Sequence, residues 1–458
     1  MIKEETITEL KNIVGEGNVL TSTLERILYE YDASVDRALP DAVIFPTTTE
    51  HVSQIVKTAN REKIPFVARG SGTNLSGGSV PIRGGIVIEL SKMNQILELD
   101  LENFRAVVQP GVFNLDLYNT LAERGYFYAP DPSSQMVATM GGTVGENAGG
   151  PHCLKYGVTT NHVMGLEMVL PNGEVIETGG KSLDMPGYDL AGLIVGSEGT
   201  FGIVTKIIVR ILKMPEEVKT MLAIFESLED AAQTVSDIIA AGILPATLEM
   251  MDKFTIGAVE NFAKAGYPLD AEAVLIIELD GLKDGMERLS RRVVQICQKN
   301  SARDVRVAKD DAERERLWIG RKSAFGAIAQ LGPNYFVCDG VVPRSKLPET
   351  LRQVVKIGED YELRIANVFH AGDGNLHPLI LYDERTTDIN KVLKAGMEIL
   401  ALCASKDGMV SGEHGVGLEK RDAMRMVYSE DDLNVMKRMK MVFDPDNLAN
   451  PDKIFPQD

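Results

Sequence analysis

Residues 64–81, IPFVARGSGTNLSGGSVP, constrain the fold of the chain most, because an apolar segment typical of a strand runs directly into four glycines. A dinucleotide-binding turn of the Rossmann type needs a helix that begins inside its glycine motif. No helix can begin here, since residues 76–85 contain four glycines and Pro81. The stretch also lacks the Gly-Lys-Ser/Thr of a P-loop. It therefore predicts either a purely structural turn or a loop whose backbone N–H groups surround phosphates without a helix dipole behind them.

Three further stretches of small residues follow: PDPSS at 130–134, GGTVGENAGGP at 141–151 and GSEGTFGIVT at 196–205. Each of the four stretches is a loop that interrupts an apolar strand. Loops of this kind would allow bare backbone to approach one long ligand from several sides. The pattern therefore favours a domain that binds an extended nucleotide.

The length and charge of the chain exclude several classes of protein. At 458 residues it is too long for one hydrophobic core, so two or three domains are expected. Its 48 basic and 66 acidic residues give a formal charge of -18, and no basic run could follow a phosphate backbone, so nucleic acid is not an expected partner. The four cysteines are scattered without a CxxC pair, which excludes a Cys-rich iron–sulfur motif and gives no reason to expect disulfides.

The N-terminal residues MIKEETITEL lack the apolar core of a signal peptide, and no apolar run reaches the length needed to span a bilayer. A cytoplasmic location is therefore expected. Docking to a membrane-bound partner stays open.

The pattern of predicted strands, loops and helices changes near residue 213. Residues 1–212 contain short β-branched runs joined by Gly-rich loops, with a few helices between them, and predict an α+β domain. Residues 213–440 alternate regularly between strands and helices, which predicts a sheet with helices packed on one face, a ferredoxin-like or related cap. The Pro- and Asn-rich residues 441–458 are expected to pack back on the first domain.

Two of the six histidines lie in VFHAGDGNLHPL, residues 368–379. Asp373-Gly374 is a favoured two-residue hairpin turn, and such a turn would make His370 and His377 direct cross-strand partners. Their Cβ atoms would then lie about 4.5–5.5 Å apart, so the two imidazoles could share one metal ion. The alternative is a Gly-rich hairpin with two solvated histidines.

Residues 411–417, SGEHGVG, place Glu413 and His414 next to each other. Adjacent side chains of a regular strand point to opposite faces of the sheet. Gly412 and Gly415 flank the pair and permit an irregular backbone, so both side chains could face one cavity. The alternative is a loop with a solvated Glu-His pair.

These motifs resemble those of a known family. The four loops, in this order and at these intervals, resemble the FAD-binding domain of the vanillyl-alcohol oxidase (p-cresol methylhydroxylase, PCMH) family. The cap, FHAGDGNLHP and SGEHGVG are similar to its D-2-hydroxyacid dehydrogenase branch, which includes the glycolate oxidase FAD subunit and FAD-linked D-lactate dehydrogenases. The resemblance covers residues 32–456. It implies an α+β fold with a two-subdomain PCMH-type FAD-binding domain and a ferredoxin-like α+β cap domain.

The resemblance also implies how FAD is held. The first loop wraps the pyrophosphate, the next two border the adenosine and flavin portions, and the last holds the far end. Covalent members of the family carry a histidine in or near the first loop, whereas this chain has Thr73, so noncovalent FAD is expected. The implied FAD-binding residues are Arg69, Gly70, Ser71, Gly72, Thr73, Asn74, Pro130, Asp131, Ser133, Gly141, Gly142, Gly145, Asn147, Ala148, Gly149, Gly150, Glu198, Gly199 and Ile203.

A catalytic centre is implied in the same way. His370, His377 and Glu413 are the implied ligands of a divalent metal, which could be zinc, iron or manganese. His414 is the implied general base, and Arg321 in LWIGRKSAF is the implied partner of the substrate carboxylate. The implied reaction is metal-assisted oxidation of a D-2-hydroxy acid, in which the base takes the hydroxyl proton and hydride passes to flavin N5.

Two apolar residues indicate the size of the substrate. Members of the family that act on five-carbon diacids carry a lysine near the position of Val337 and an asparagine near that of Leu379. Because both residues are apolar here, a small monocarboxylate, D-lactate or glycolate, is expected.

Two other functions stay open. The chain could be a flavin-carrying electron-transfer or scaffold subunit whose cap is idle, although the intact His-His-Glu set argues against this. It could also be a nonmetal flavin oxidase of the same fold that acts on sugars or phenols. Relatives pair with iron–sulfur subunits or with electron-transferring flavoproteins, so a partner of either kind is a candidate electron acceptor, alongside oxygen or a soluble acceptor.

Overall fold

The computed structural model describes residues 2–182 and 186–457. The chain divides into two compact units. Unit 1 comprises Met1–Gly150, Gly157–Met214 and Glu413–Asp458, and unit 2 comprises Pro151–Tyr156 and Pro215–Gly412.

The secondary structure mixes helices and strands along the whole chain. The α-helices are α1 (Glu4–Val14), α2 (Thr23–Arg26), α3 (Thr49–Glu62), α4 (Asn114–Ala122), α5 (Met140–Glu146), α6 (Cys153–Tyr156), α7 (Leu190–Ile194), α8 (Leu228–Ala240), α9 (Lys253–Ala263), α10 (Met286–Lys299), α11 (Asp311–Lys322), α12 (Ala324–Ile328), α13 (Leu347–Asp360), α14 (Ile389–Ser405) and α15 (Glu430–Phe443). The strands are β1 (Val19–Leu20), β2 (Ala42–Ile44), β3 (Phe66–Arg69), β4 (Ile86–Glu89), β5 (Ile96–Asp100), β6 (Arg105–Val108), β7 (Tyr126–Phe127), β8 (Val163–Val169), β9 (Val175–Gly179), β10 (Ile203–Arg210), β11 (Leu212–Lys213), β12 (Glu217–Phe225), β13 (Thr247–Asp252), β14 (Ala273–Gly281), β15 (Asp304–Val307), β16 (Asn334–Val337), β17 (Gly340–Val341), β18 (Arg364–His370), β19 (Asn375–Leu376) and β20 (Pro378–Tyr382). Within the described part of the chain, no helix combines the length and the apolar character needed to cross a membrane.

Unit 1 contains two larger sheets, each with an apolar core of its own. The first has the order β1-β2-β4-β3, with β2, β4 and β3 parallel to one another. Its core includes Leu10 from α1 and Ile55 from α3. The second is antiparallel, with the order β5-β6-β10-β8-β9, and its core includes Leu117 from α4 and Val144 from α5. This arrangement confirms the two-subdomain α+β architecture expected for the FAD-binding part.

Unit 2 is built on one nine-stranded sheet with the main path β15-β12-β14-β13-β18-β19-β17. Strand β20 pairs with both β16 and β18 beside this path. The predicted alternation of strands and helices is confirmed from β12 to α12. The α+β class of the cap is therefore confirmed.

The prediction that helices cover one face of this sheet is wrong. Helices α8, α10 and α13 pack in one apolar core, and α9, α11 and α12 pack in a second core on the opposite side chains of β12 and β14. The reason lies in the central strands: residues 273–279 of β14 are buried without alternation. A strand that is apolar on both faces needs cover on both faces.

Residues 413–440 belong to unit 1, although the sequence pattern predicted that they are part of the cap domain at 213–440. The Glu198 carboxylate accepts hydrogen bonds from the backbone amides of Val416 and Gly417, at 2.7 and 2.8 Å. These hydrogen bonds join segments more than 200 residues apart in the chain. A pattern of neighbouring residues gives no information about such a contact.

The C-terminal tail also lies on unit 1. Asn450 Nδ2 donates to the carbonyl oxygens of Gly78 at 2.7 Å and Glu198 at 2.6 Å. Lys453 Nζ donates to the carbonyl oxygen of Val80 at 2.6 Å. The tail thus contacts the first and fourth Gly-rich stretches.

Candidate active site

The Gly-rich loops converge in unit 1. An added Cβ at Gly150 would overlap the backbone of Asp131, so the second and third loops are in close contact. The backbone amide of Glu198 donates to the carbonyl oxygen of Gly145 at 2.9 Å, which joins the third and fourth loops. Segments separated by more than 50 residues are therefore in direct contact.

The first loop requires glycine at two positions. An added Cβ would overlap the Thr139 side chain at Gly70 and the Arg69 guanidinium at Gly72, where φ is 67°. Arg69 is buried, and its Nη1 donates to the carbonyl oxygen of Tyr31 at 2.7 Å. Arg69 thus stabilises the loop through protein contacts.

The third stretch is not the plain loop that the sequence predicted, because residues 140–146 form α5. Thr139 caps this helix by accepting a hydrogen bond from the backbone amide of Gly142 at 3.2 Å. Asn147 ends it in the left-handed conformation, with φ of 53°. Gly141 packs against Pro110 with no room for a side chain, which accounts for glycine inside a helix.

Glu413 and His414 lie beside these loops in unit 1. Gly415 and Gly417 have φ of 80° and 53°, and an added Cβ at Gly417 would overlap the carbonyl oxygen of Ser76 near the first loop. The irregular backbone brings His414 Nε2 to 3.8 Å from Glu413 Oε1. The two side chains therefore face a common space, as the flanking glycines indicated.

A pair of carboxyl groups supports this turn. Burial raises the pKa of the Glu198 carboxyl, while hydrogen bonds from the amides of Val416 and Gly417 oppose the rise. Burial, and then the charge of Glu198, raise the pKa of Glu146 well above its usual value. The Glu198 carboxyl holds the turn after His414 through its two hydrogen bonds from the backbone amides of Val416 and Gly417.

His370 and His377 lie together in unit 2. Their ring centroids are 5.2 Å apart, and their side chains are 3% and 2% exposed. One ring nitrogen of His370 lies within 4.8 Å of one ring nitrogen of His377. The alternative of two solvated histidines is therefore wrong, and a divalent cation fits the two buried nitrogen donors.

The register of the hairpin differs from the prediction. His370 pairs with Asn375, and Asn367 pairs with Pro378, so His377 is a diagonal neighbour of His370 and not its direct partner. The pairing is shifted by two residues relative to the prediction. A shift by an even number keeps each side chain on its face of the sheet, so the two imidazoles still meet.

The turn itself explains the shift, because it spans four residues, 371–374. A two-residue type I′ turn needs positive φ at both Asp373 and Gly374. Of the two, Gly374 alone has a positive φ, 76°. An added Cβ at Gly374 would overlap the carbonyl oxygen of Val342, so the turn is also shaped by a contact with the residue that follows β17.

A buried carboxylate, Glu249, joins this site to Arg321. Glu249 lies opposite His370 in the register of β13 and β18. Its Oε1 and Oε2 are 2.8 and 3.0 Å from His370 Nδ1. Arg321 Nε donates to Oε2 at 2.7 Å, and Arg321 Nη2 lies 2.6 Å from the same oxygen. Glu249 was not among the predicted site residues, although a lone carboxylate inside the apolar strand ATLEMM was a signal.

The charge state of Glu249 follows from its neighbours. Burial acts to raise the pKa of the Glu249 carboxyl, but His370 and then Arg321 outweigh burial and hold the pKa below its usual value. The carboxylate is therefore ionised, and Arg321 has a charged partner although only 2% of its side chain is exposed.

Asp339 is a second buried carboxylate that was not predicted from the sequence. Its Oδ1 lies 3.5 Å from His377 Nε2, and the Ser411 hydroxyl donates to its Oδ2 at 2.7 Å. Unit 2 thus places a carboxylate oxygen beside His377 as well as beside His370.

Glu278, on the neighbouring strand β14, is equally buried but contacts other residues. It accepts hydrogen bonds from Trp318 Nε1 at 2.7 Å, from Arg314 Nε at 3.0 Å and from the Thr220 hydroxyl. Trp318 and Arg321 are three residues apart on α11, so this helix contacts both Glu278 and Glu249.

The two residues that indicated the substrate size form a direct pair. Val337 on β16 lies opposite Leu379 on β20. Their exposed fractions are 6% and 0%, and both belong to an apolar core of unit 2. These two positions therefore offer no charged group to a ligand.

Two family descriptions match the chain. Residues 40–179 match an FAD binding domain, and residues 214–454 match the C-terminal domain of FAD linked oxidases.

Curated relatives match over the full length of the chain. Glycolate oxidase subunit GlcD of Escherichia coli strain K12 is 44% identical over 456 residues, which cover 99% of this chain and 91% of that protein. The protein of the same name from Bacillus subtilis strain 168 is 44% identical over 461 residues, or 100% and 98% of the two chains. D-lactate dehydrogenase of Anaerostipes hadrus is 34% identical over 464 residues, or 99% and 98%.

Solved structures share the fold. p-Cresol methylhydroxylase with substrate bound has a TM-score of 0.83 and 20% identity, over 98% of this chain and 95% of that chain. 4-Ethylphenol oxidase from Gulosibacter chungangensis has a TM-score of 0.81 and 19% identity, over 99% and 97%. The PCMH-type fold predicted from the loops is confirmed.

Proposed function

Because the chain belongs to the family of FAD-linked oxidases, we propose that it oxidises a small D-2-hydroxy acid, D-lactate or glycolate, to the 2-oxo acid. The chain is an FAD-dependent oxidoreductase. The observation that carries the proposal is the buried pair of His370 and His377, in which His370 shares the Glu249 carboxylate with the buried guanidinium of Arg321. The names of the relatives, glycolate oxidase subunit and D-lactate dehydrogenase, support this substrate class.

FAD is the cofactor, and the converging Gly-rich loops of unit 1 are its proposed site. A divalent metal is proposed on His370, His377 and Glu413, with Glu413 assigned from the motif SGEHGVG. When bound, FAD supplies a hydride acceptor and the metal supplies positive charge beside the substrate hydroxyl.

Arg321 binds the substrate carboxylate in this scheme. Glu249 contacts the edge of the guanidinium formed by Nε and Nη2. The edge formed by Nη1 and Nη2 has the geometry for a second, bidentate carboxylate. The substrate is thereby oriented by one end.

His414 takes the proton of the C2 hydroxyl. As that O–H bond breaks, the C2–H bond also breaks, its electron pair leaves with the hydrogen as hydride, and the C=O bond of the product forms. The imidazole must be neutral to accept the proton.

A small substrate fits the apolar pair of Val337 and Leu379. A second carboxylate at either position would lie in an apolar core without a cation. Burial of such a charge without a partner is costly, which favours a monocarboxylate.

FAD is expected to be noncovalent, because Thr73 occupies the loop in which covalent relatives carry a histidine. Acid precipitation of the purified protein should release the yellow colour into the supernatant. Flavin that remains with the precipitate would show a covalent bond.

Replacement of Arg321 by methionine is expected to raise the Michaelis constant by more than about tenfold, because a charge-assisted bidentate contact contributes about 1.5–3 kcal/mol. FAD content should be unchanged. The matched control is Arg314→Met, which removes a guanidinium of the same helix from a different carboxylate. An unchanged Michaelis constant in Arg321→Met would show that another residue holds the substrate carboxylate.

The experiment that tests the function is anaerobic addition of D- and L-2-hydroxy acids to the purified flavoprotein. Bleaching of the flavin by D-lactate or glycolate is expected. Persistent yellow colour with every acid would favour a scaffold or electron-transfer subunit. Bleaching by a phenol or sugar, in protein without bound metal, would favour a nonmetal oxidase of the same fold.

A redox partner is proposed as the electron acceptor, either an iron–sulfur subunit or an electron-transferring flavoprotein. The support is that relatives matched over 91% and 98% of their own length are named as a subunit of glycolate oxidase. Reoxidation of the reduced flavin by oxygen alone, at the rate of turnover, would argue against such a partner.

A further inference from the structure

We infer that Glu249 is a positioning residue that holds the imidazole of His370 and the guanidinium of Arg321 in a fixed relation through one carboxylate. The inference rests on the proposed function, which assigns the metal to His370 and the substrate carboxylate to Arg321. Glu249 acts through these two residues and is not itself a ligand of metal or substrate.

The contact with His370 determines which ring nitrogen is available. The Glu249 carboxylate is paired with the buried guanidinium of Arg321, so it accepts hydrogen bonds and donates none, and His370 Nδ1, at 2.8 Å from Oε1, carries the hydrogen. In a neutral imidazole, Nε2 then carries the lone pair that can bind a metal. Carboxylates in this position orient metal-binding imidazoles and raise their basicity.

The contact with Arg321 determines the direction of the guanidinium. Two of its nitrogens, Nε and Nη2, face Glu249 Oε2 at 2.7 and 2.6 Å. A guanidinium that is 2% exposed needs an ionised partner, because a buried unpaired charge is costly. With one edge held by Glu249, the other edge points in a single direction.

Three elements of unit 2 meet at this carboxylate. Glu249 on β13 is the register partner of His370 on β18, and Arg321 comes from α11. A carboxylate has two oxygens and accepts from both partners. A glutamine oxygen at the position of Oε2 keeps an acceptor for Arg321, but its NH₂ group at the position of Oε1 would face the Nδ1–H of His370 as a second donor, and the negative charge that pairs with Arg321 is lost.

The test is Glu249→Gln, measured on flavoprotein from which metal has been removed by a chelator. Equilibrium dialysis against buffered Zn²⁺, read by elemental analysis, measures metal affinity without turnover. We expect that affinity to fall about 10- to 100-fold, as for other carboxylates that orient a metal-binding histidine. The Michaelis constant for D-lactate or glycolate should rise in the same variant, because Arg321 loses its orientation.

Glu278→Gln is the matched control. Glu278 is as buried as Glu249, lies on the adjacent strand and accepts hydrogen bonds from α11, but from Trp318 and Arg314. It should keep the wild-type Zn²⁺ affinity and Michaelis constant. An equal loss in this control would show that removal of any buried charge from the sheet has the effect, and would overturn the inference.

If Glu249→Gln does not fold, a second variant tests the positioning role of Glu249. Glu249→Asp keeps the charge, but its side chain is shorter by one methylene and cannot reach both partners. A fall in Zn²⁺ affinity or a rise in the Michaelis constant would support the inference. Wild-type values for both would overturn it.

Failure of the inference can be told from failure of the proposed function. If the wild-type protein binds no Zn²⁺, or no 2-hydroxy acid bleaches its flavin, the proposed function fails and the inference fails with it. If the wild-type protein does both, and Glu249→Gln retains its Zn²⁺ affinity and Michaelis constant, the inference alone is overturned.

Discussion

Flavin reduction is expected to slow by about 100-fold or more when His414 is replaced by alanine, which is the loss typical of a missing general base. The structure supports this assignment, because His414 lies in unit 1 on a turn held by Glu198, beside the loops proposed to bind FAD. Anaerobic stopped-flow measurement of the flavin absorbance, with saturating substrate, gives the rate directly. Metal and FAD content should stay at wild-type values.

The matched control for this variant is His51→Ala, which removes a histidine of unit 1 whose Nδ1 contacts Thr47 near the start of α3. Its rate of flavin reduction should equal that of the wild-type protein. A rate in His414→Ala within a few-fold of wild type would show that another group accepts the hydroxyl proton.

Metal occupancy is expected to fall sharply when Glu413 is replaced by alanine, because an anionic ligand is removed and two neutral imidazoles remain. The loss of metal affinity should be larger than the loss of about 10- to 100-fold that is typical when a residue hydrogen-bonded to a metal ligand is removed. Excess divalent ion should partly restore activity. Elemental analysis of the dialysed protein gives the occupancy.

Comparison of the two variants tests the division of roles between neighbours in the sequence. His414→Ala should be slow but loaded with metal, whereas Glu413→Ala should lack metal and respond to its addition. If His414→Ala loses the metal and Glu413→Ala retains it, the assigned roles are reversed. The two side chains are 3.8 Å apart, so geometry alone does not separate their roles and the metal content decides.

Much of the fold was predictable because its signals are local. The strands and helices from β12 to α12 follow from hydrophobic periodicity within windows of a few residues. The Gly-rich loops were recognisable because positive φ and close backbone approach require glycine, as at Gly72 and Gly150. The shared face of His370 and His377 was predictable because the side-chain period of a strand is two residues.

Other features depended on contacts that a local window does not contain. The helices on the second face of the unit 2 sheet require knowledge of which strands are central, since apolar runs such as those of β12 and β14 do not show by themselves that both faces of the strand are covered by helices. The four-residue turn at 371–374 depends partly on the backbone of Val342, which lies outside the hairpin. The backbone amide of Val342 donates to the carbonyl oxygen of Gly374 at 3.0 Å, a contact that the local Asp-Gly preference does not include.

By itself, then, the sequence determined the kinds of element, the loops of small residues and the family, because each depends on residue types at fixed short spacings. The tertiary structure alone decided that Glu249, 121 residues from His370 in the chain, holds that imidazole and Arg321 together. It also decided that residues 413–440 belong to unit 1. The physical reason is the same in both cases. A buried carboxylate needs hydrogen-bond donors, and the fold supplies them from segments that are distant in the chain. Contacts between distant segments produce no periodic pattern in the sequence.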